Sequence, residues 1–185
     1  MKILNNRETA ILGLLFDQSM YGYEIEKIII ERNMRYWTEI GFSSIYYVLN
    51  RLEESGYVRS KEKLVEGRNR RIYAITRSGK KIIKEKISSL LSENSKLISP
   101  FELGIAFMHV LEPDIAISCL ENYITSTLER LENIKELLRK SKEEKASYRK
   151  TALFERPIEL VDADINWVKN FISDLQSSRE FLRGE

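Results

Sequence analysis

The chain has 185 residues, of which 43% are hydrophobic and 31% charged, with 30 Lys or Arg, 28 Asp or Glu and one His. That length fits one domain or two small ones, and the composition is that of a globular protein. No apolar run approaches the ~18 residues of a membrane span, the first residues lack a charged-then-apolar leader, and a lone Cys119 excludes an intramolecular disulfide framework and suits a reducing cytoplasm.

In chain order, the stretch Ile11 to Ile29, ILGLLFDQSMYGYEIEKII, leads to the segment that carries most structure, Gly41 to Lys81. Ile45, Leu49 and Leu52 recur at helical spacing with Val48 beside them, which predicts a short helix with one apolar stripe. Its opposite face carries Ser43, Tyr47, Asn50, Arg51 and Glu54. Gly41 and Ser43 stand where an N-cap is needed, and Gly56 where a left-handed C-cap is needed. Asn pairs with adenine, Arg with guanine or phosphate, and hydroxyls with either, so the polar face suits base reading. An ordinary amphipathic surface helix would share the stripe.

Next, Tyr57 to Lys63 alternates Val58 with Arg59, Lys61 and Lys63, the period of a strand with its cations on one face. Glu66, Gly67 and Asn69 suit a reversal, Arg70 and Arg71 open a return strand Ile72 to Ile75, and Thr76 is placed to cap another helix. From Arg59 to Lys86 there are eleven Lys or Arg against three Glu. A basic hairpin beside a candidate recognition helix is the electrostatic footprint of a phosphate-binding wing. The expected fold is therefore mainly α with a small β-hairpin wing: an N-terminal winged helix-turn-helix and a C-terminal antiparallel helical domain.

The boundary falls near Ser95 to Pro100, dividing residues 1–95 from 96–185. The net charge of +2 hides an asymmetry, since the first part holds 17 basic against 12 acidic residues and the second 13 against 16. Contact with DNA at one end and another task at the other would produce it.

Beyond the boundary, Phe101 to Leu111 reads as a short helix and Pro113 as the start of the next. Ile117, Leu120, Ile124, Thr127, Leu131, Ile134 and Leu138 alternate spacings of three and four, a heptad-like seam. After a polar break at Lys140 to Lys150, Val161, Ile165, Val168, Ile172, Leu175 and Leu182 repeat it, interrupted by Arg179. Trp167 and Phe171 form a second apolar row. Such two-sided helices fit packing within the chain and across a homodimer, and Ile117, Leu120, Ile124, Leu131, Val161, Ile165, Val168, Ile172 and Leu175 are the expected dimer contacts.

Chemistry is poorly represented. His109 sits inside the apolar run IAFMHVL and Cys119 on the first seam helix, so both read as packing residues. Neither metal-ligand spacing, a glycine-rich phosphate loop nor a nucleophile elbow is present, which leaves no metal or cofactor and disfavours an enzyme.

Gly22-Tyr23-Glu24-Ile25, Ile45-Tyr46, and Tyr73 followed by Ile75-Thr76 and Gly79 occur in an order that resembles the PadR family of transcriptional regulators over roughly the first 90 residues. Phe42-Ser43-Ser44 departs from the Pro-Gly-Thr that members often carry, while keeping a hydroxyl at Ser44. The resemblance implies a dimeric bacterial DNA-binding protein, most often a repressor, sometimes relieved by a small molecule, with C-terminal helices joining protomers. It also suggests a phosphate contact through the Tyr46 hydroxyl. The expected double-stranded DNA contacts are Ser43, Ser44, Tyr46, Tyr47, Asn50, Arg51, Lys61, Lys63, Arg68, Arg70 and Arg71. Effectors of such regulators tend to sit between the two halves, which makes Trp37, His109, Trp167 and Phe171 candidates by residue type. The alternative function is a winged helix used only for protein interaction, against which the basic wing argues.

Overall fold

A computed structural model describes residues 4–38, 40–41, 44–65, 67–93 and 99–177, without the side chains of Tyr36 and Arg68. The chain divides into two compact units, Met1–Lys96 and Leu97–Glu185.

In the first unit the elements run α1 (Asn6–Leu14), β1 (Met20–Tyr21), α2 (Gly22–Glu31), a 3-10 turn (Met34–Tyr36), α3 (Ser44–Glu54), β2 (Val58–Val65), β3 (Arg68–Ile75) and α4 (Arg77–Ser92). Helix α1 begins with a reciprocal cap: Glu8 N–H donates to Asn5 Oδ1 and Asn5 N–H to Glu8 Oε2, both at 2.9 Å. The predicted stripe of α3 is its buried face, with Ile45, Val48, Leu49 and Leu52 each no more than 3% exposed. They meet Ile11, Leu12 and Leu15 near α1 and Ile25 and Ile29 of α2 in one core.

The sheet has strand order β1-β3-β2, all antiparallel. Both hairpin strands are longer than expected, and Asn69 lies in β3, paired with Leu64, not in the turn. Strand β1 was not anticipated. It is two residues long, Met20 pairing with Tyr73 and Tyr21 with Ile72, too short for a period to register. The turn passes through Gly67 at φ +73°, and α3 ends at Gly56 at φ +72°, as its position suggested.

Thr76 caps α4 by accepting from Gly79 N–H at 3.0 Å, and its own N–H donates to the Tyr57 carbonyl at 2.9 Å. This docking demands glycine at position 79, where a Cβ would stand 2.1 Å from the Tyr57 oxygen.

The second unit contains α5 (Pro100–Ala106), a 3-10 turn (Met108–Val110), α6 (Pro113–Glu143) and α7 (Tyr148–Ser177). The short turn between α6 and α7 makes them antiparallel, and Lys145 takes the left-handed conformation within it. Leu120 packs with Val168, Phe171, Ile172 and Leu175, and Leu131 with Val161 and Ile165. Most seam residues thus pack against one another within the chain, while Ile117 and Ile124 stay half-buried. A helix pair from one chain satisfies a heptad pattern as well as a pair from two. Arg179 and Leu182 lie outside the described residues.

Among the described residues no helix is long and apolar enough to cross a membrane. Cys119 is exposed, and so is His109, contrary to the packing roles expected of them. The apolar stripe of α6 passes them by, because both fall on its flank or in the turn before it.

Replacing Gly79 by Ala should destabilise the protein by about 1–3 kcal/mol, through overpacking against the Tyr57 carbonyl. Gly13→Ala, in α1 where a Cβ meets nothing within 4 Å, should be neutral or stabilising. Urea denaturation of the two variants checks the contrast.

Candidate nucleic-acid interface

The exposed face of α3 and the adjoining hairpin gather most of the polar residues expected there. Tyr46 and Tyr47 are 54% and 60% exposed, and Asn50 is exposed one turn further on. Ser44 opens the helix, its hydroxyl donating to the Gly41 carbonyl at 2.7 Å. Ser43 and the Arg68 side chain fall outside the described parts.

Tyr46 is held by what lies beneath it. A Cβ on Gly22 would stand 2.6 Å from its ring, so the tyrosine rests directly on the α2 backbone. Glycine at position 22 is what allows that approach.

Arg51 has a partner inside the protein. Its guanidinium meets the Glu8 carboxylate at 3.2 Å, the Glu8 side chain being only 3% exposed, and it lies 5.7 Å from the centre of the Tyr47 ring. A buried carboxylate without a counter-charge would be costly. Arg51 therefore ties α3 to α1, and its spacing in the sequence could not reveal this.

Partners in an antiparallel ladder share a face, so register sorts the wing. Val58, Ser60, Glu62, Arg71 and Tyr73 share one side, and Lys61, Lys63, Ile72 and Arg70 the other. Val58 and Tyr73 are each 2% exposed, which identifies the first side as the one packed on the core. Lys61 and Lys63 are exposed, as expected of a solvent face. Arg70 extends over Tyr23 at 5.1 Å, and Tyr23 stacks on Tyr21 at 5.7 Å. Arg71, on the inner side, meets Glu53 of α3 at 3.1 Å.

Glu53 joins α3 to the wing. One oxygen accepts from Ser60 N–H at 2.8 Å and Ser60 Oγ at 2.7 Å, and the other from Arg71. These bonds, the Ser60 hydroxyl first, hold its pKa below the ordinary value of 4.5. Between helix and wing lies a cleft of about 370 Å³ bordered by Tyr23, Tyr46, Asn50, Asn69, Arg70 and Arg71. Glu53 and Tyr23 were absent from the expected site. Glu53 acts across a chain reversal, where helical spacing carries no information, while Tyr23 stood in a recognised motif without a role.

The effector candidates fall in both units. Trp37 belongs to the first unit and is 44% exposed; Trp167 stacks on Phe171 at 5.0 Å in α7; His109 lies 6.3 Å from Phe107.

An amphipathic helix presenting tyrosines and an asparagine beside a two-stranded basic wing defines a winged helix-turn-helix DNA-binding transcriptional regulator. Residues 11–85, which span the winged-helix part of the chain, match the family model of the Transcriptional regulator PadR-like family. No curated protein matches the sequence. The backbone is similar to that of the Vibrio cholerae virulence activator AphA, at 16% identity and a TM-score of 0.74, covering 93% of this chain and 99% of that one. It is also similar to Bacillus subtilis PadR in complex with operator DNA, at 18% identity and a TM-score of 0.71, covering 91% and 98%. The same protein in complex with p-coumaric acid matches at 18% identity and 0.70, again over 91% and 98%. At these identities the likeness is one of fold.

A group whose folded pKa is depressed contributes stability above its unfolded pKa and loses it as pH falls through the folded value. Glu53 should therefore stabilise the wing in full near neutrality and progressively less on acidification. Glu53→Gln should be less stable than wild type at pH 7, and the gap should narrow below about pH 4, the unfolded carboxylate range. Urea midpoints of both proteins against pH test the sign.

Proposed function

We propose that this regulator is a cytoplasmic homodimeric repressor that binds a pseudo-palindromic operator and is released by a small molecule. The observation that carries the reading is the joint exposure of Tyr46, Tyr47 and Asn50 on α3 beside Lys61 and Lys63 on the wing. In it, Asn50 and Tyr47 read base edges, while Ser44, Tyr46, Lys61, Lys63 and Arg70 hold phosphates. Arg51 and Arg71 shape the surface through Glu8 and Glu53. The B. subtilis PadR complexes with operator DNA and with p-coumaric acid support both halves of the reading by analogy of fold.

One winged helix spans few base pairs. Two related by a twofold axis reach half-sites about 34 Å apart. Besides the seam residues, a further row along α7 is open to a second copy. Leu153, Leu160 and Trp167 recur every seven residues along α7 and are 41%, 53% and 48% exposed. A heptad stripe of this kind favours a helix from a partner.

Asn50→Ala should reduce discrimination between operator and scrambled duplex by roughly 1–3 kcal/mol, the value of a bidentate base contact. Tyr46→Phe should weaken all duplexes alike, since phosphates position without specifying. Lys61→Ala with Lys63→Ala should flatten the plot of log affinity against log salt by about 0.9 for each phosphate left without its lysine. Competition binding at several salt concentrations measures all three, and full discrimination by a folded Asn50→Ala protein would exclude this face from base reading.

Leu160→Asp should give monomers in sedimentation at micromolar concentration, with weakened operator binding because engagement of the second half-site is no longer intramolecular. A Leu160→Asp dimer would remove this row from the protomer interface.

A further inference from the structure

The C-terminal unit contains a cavity of about 530 Å³ between α5 with its following 3-10 turn and the first half of α6. Phe101, Ile105, Met108, Leu120 and Tyr123 contribute apolar wall, with Phe101 and Tyr123 stacked at 4.2 Å. No charged side chain is among the described residues that line it. The polar groups at its edge are engaged within the protein: Ser99 Oγ accepts from Phe101 N–H at 3.1 Å, and the Tyr123 hydroxyl donates to Asp164 at 2.5 Å.

Gly104 borders the same space. It lies inside α5, does not have a positive φ, and a Cβ there would meet nothing within 4 Å. Neither backbone conformation nor crowding calls for glycine, although glycine in a helix costs about 0.8–1 kcal/mol against alanine. Its effect is to leave the cavity open.

From the size, the aromatic wall and the absence of charge, we propose that this cavity binds an uncharged aromatic small molecule. Pockets for such ligands are mostly apolar and roughly 300–1,000 Å³ in volume. A carboxylate or sulfonate would find no cation among these lining groups to offset its desolvation. The proposal deepens the effector-release reading and rests on it only for its biological consequence.

The test uses the full chain and the neutral probe N-phenyl-1-naphthylamine, compared with 8-anilinonaphthalene-1-sulfonate, which has the same rings and an added anion. The neutral probe should saturate a single site per chain and slow the alkylation of Cys119, the sole cysteine, which lines the cavity. The sulfonate should bind at least tenfold more weakly, about the discrimination a misplaced group produces in an apolar pocket. Gly104→Leu should weaken the neutral probe by a similar factor of about ten while melting no lower than wild type. Equal binding of the two probes, wild-type affinity in a folded Gly104→Leu protein, or unchanged Cys119 alkylation would each overturn the assignment. So would protection of Cys119 that rises with protein concentration alone, which would mean that a second copy covers the cavity. Probe binding that leaves operator affinity unchanged would uphold the cavity and refute release by it.

Discussion

The three hydrogen bonds collected by the Glu53 carboxylate fix how helix α3 and the wing sit against each other. Helix α3 and the wing are separate elements joined by a glycine turn, and a hairpin projecting from a domain has little core of its own. Glu53 ties the last turn of α3 to the first part of β2 and the middle of β3. Charge-assisted bonds of this type are stronger and more directional than neutral ones. A second carboxylate, Glu8, does the same between α3 and α1 through Arg51. The helix is thus held at its far end from two directions. Its first turn rests on Gly22 through Tyr46.

These links were not equally visible in the sequence. The stripe Ile45, Val48, Leu49 and Leu52 gave the buried face of α3, and the alternation around Val58 gave the strand, because burial imposes a period. Glycines at positions 56 and 67 marked reversals for steric reasons. Arg51 and Arg71 read as free cations because a charge in a sequence does not announce its counter-charge. Glu8 is 43 residues from Arg51, and only the packing of α1 on α3 brings them together. Strand β1 escaped for a different reason: two residues cannot show a period of two.

In the second unit the pattern showed correctly that Leu120, Leu131, Val161, Ile165 and Val168 are covered, but not by what. A seam of spacing three and four is satisfied by any antiparallel helix, and a turn of a few residues supplies one at little entropic cost. The less conspicuous row of Leu153, Leu160 and Trp167 remains at the surface. The cavity beside α5 had no sequence signature either. Pro100, Gly104 and Cys119 are unremarkable alone, and their common border depends on how α5 folds back on α6.

Each unit has a hydrophobic core built from its own residues. Such an arrangement departs from the single cooperative transition of a small domain. A ligand of one unit stabilises that unit by mass action, as RT ln(1 + [L]/Kd), and the other only to the extent that the two are coupled. The coupling is reciprocal: any factor by which a C-terminal ligand lowers affinity for DNA is the factor by which DNA lowers affinity for that ligand. Occupied operators would then respond at higher ligand concentrations than free protein does, so the sensitivity of such a switch depends on how much DNA it holds.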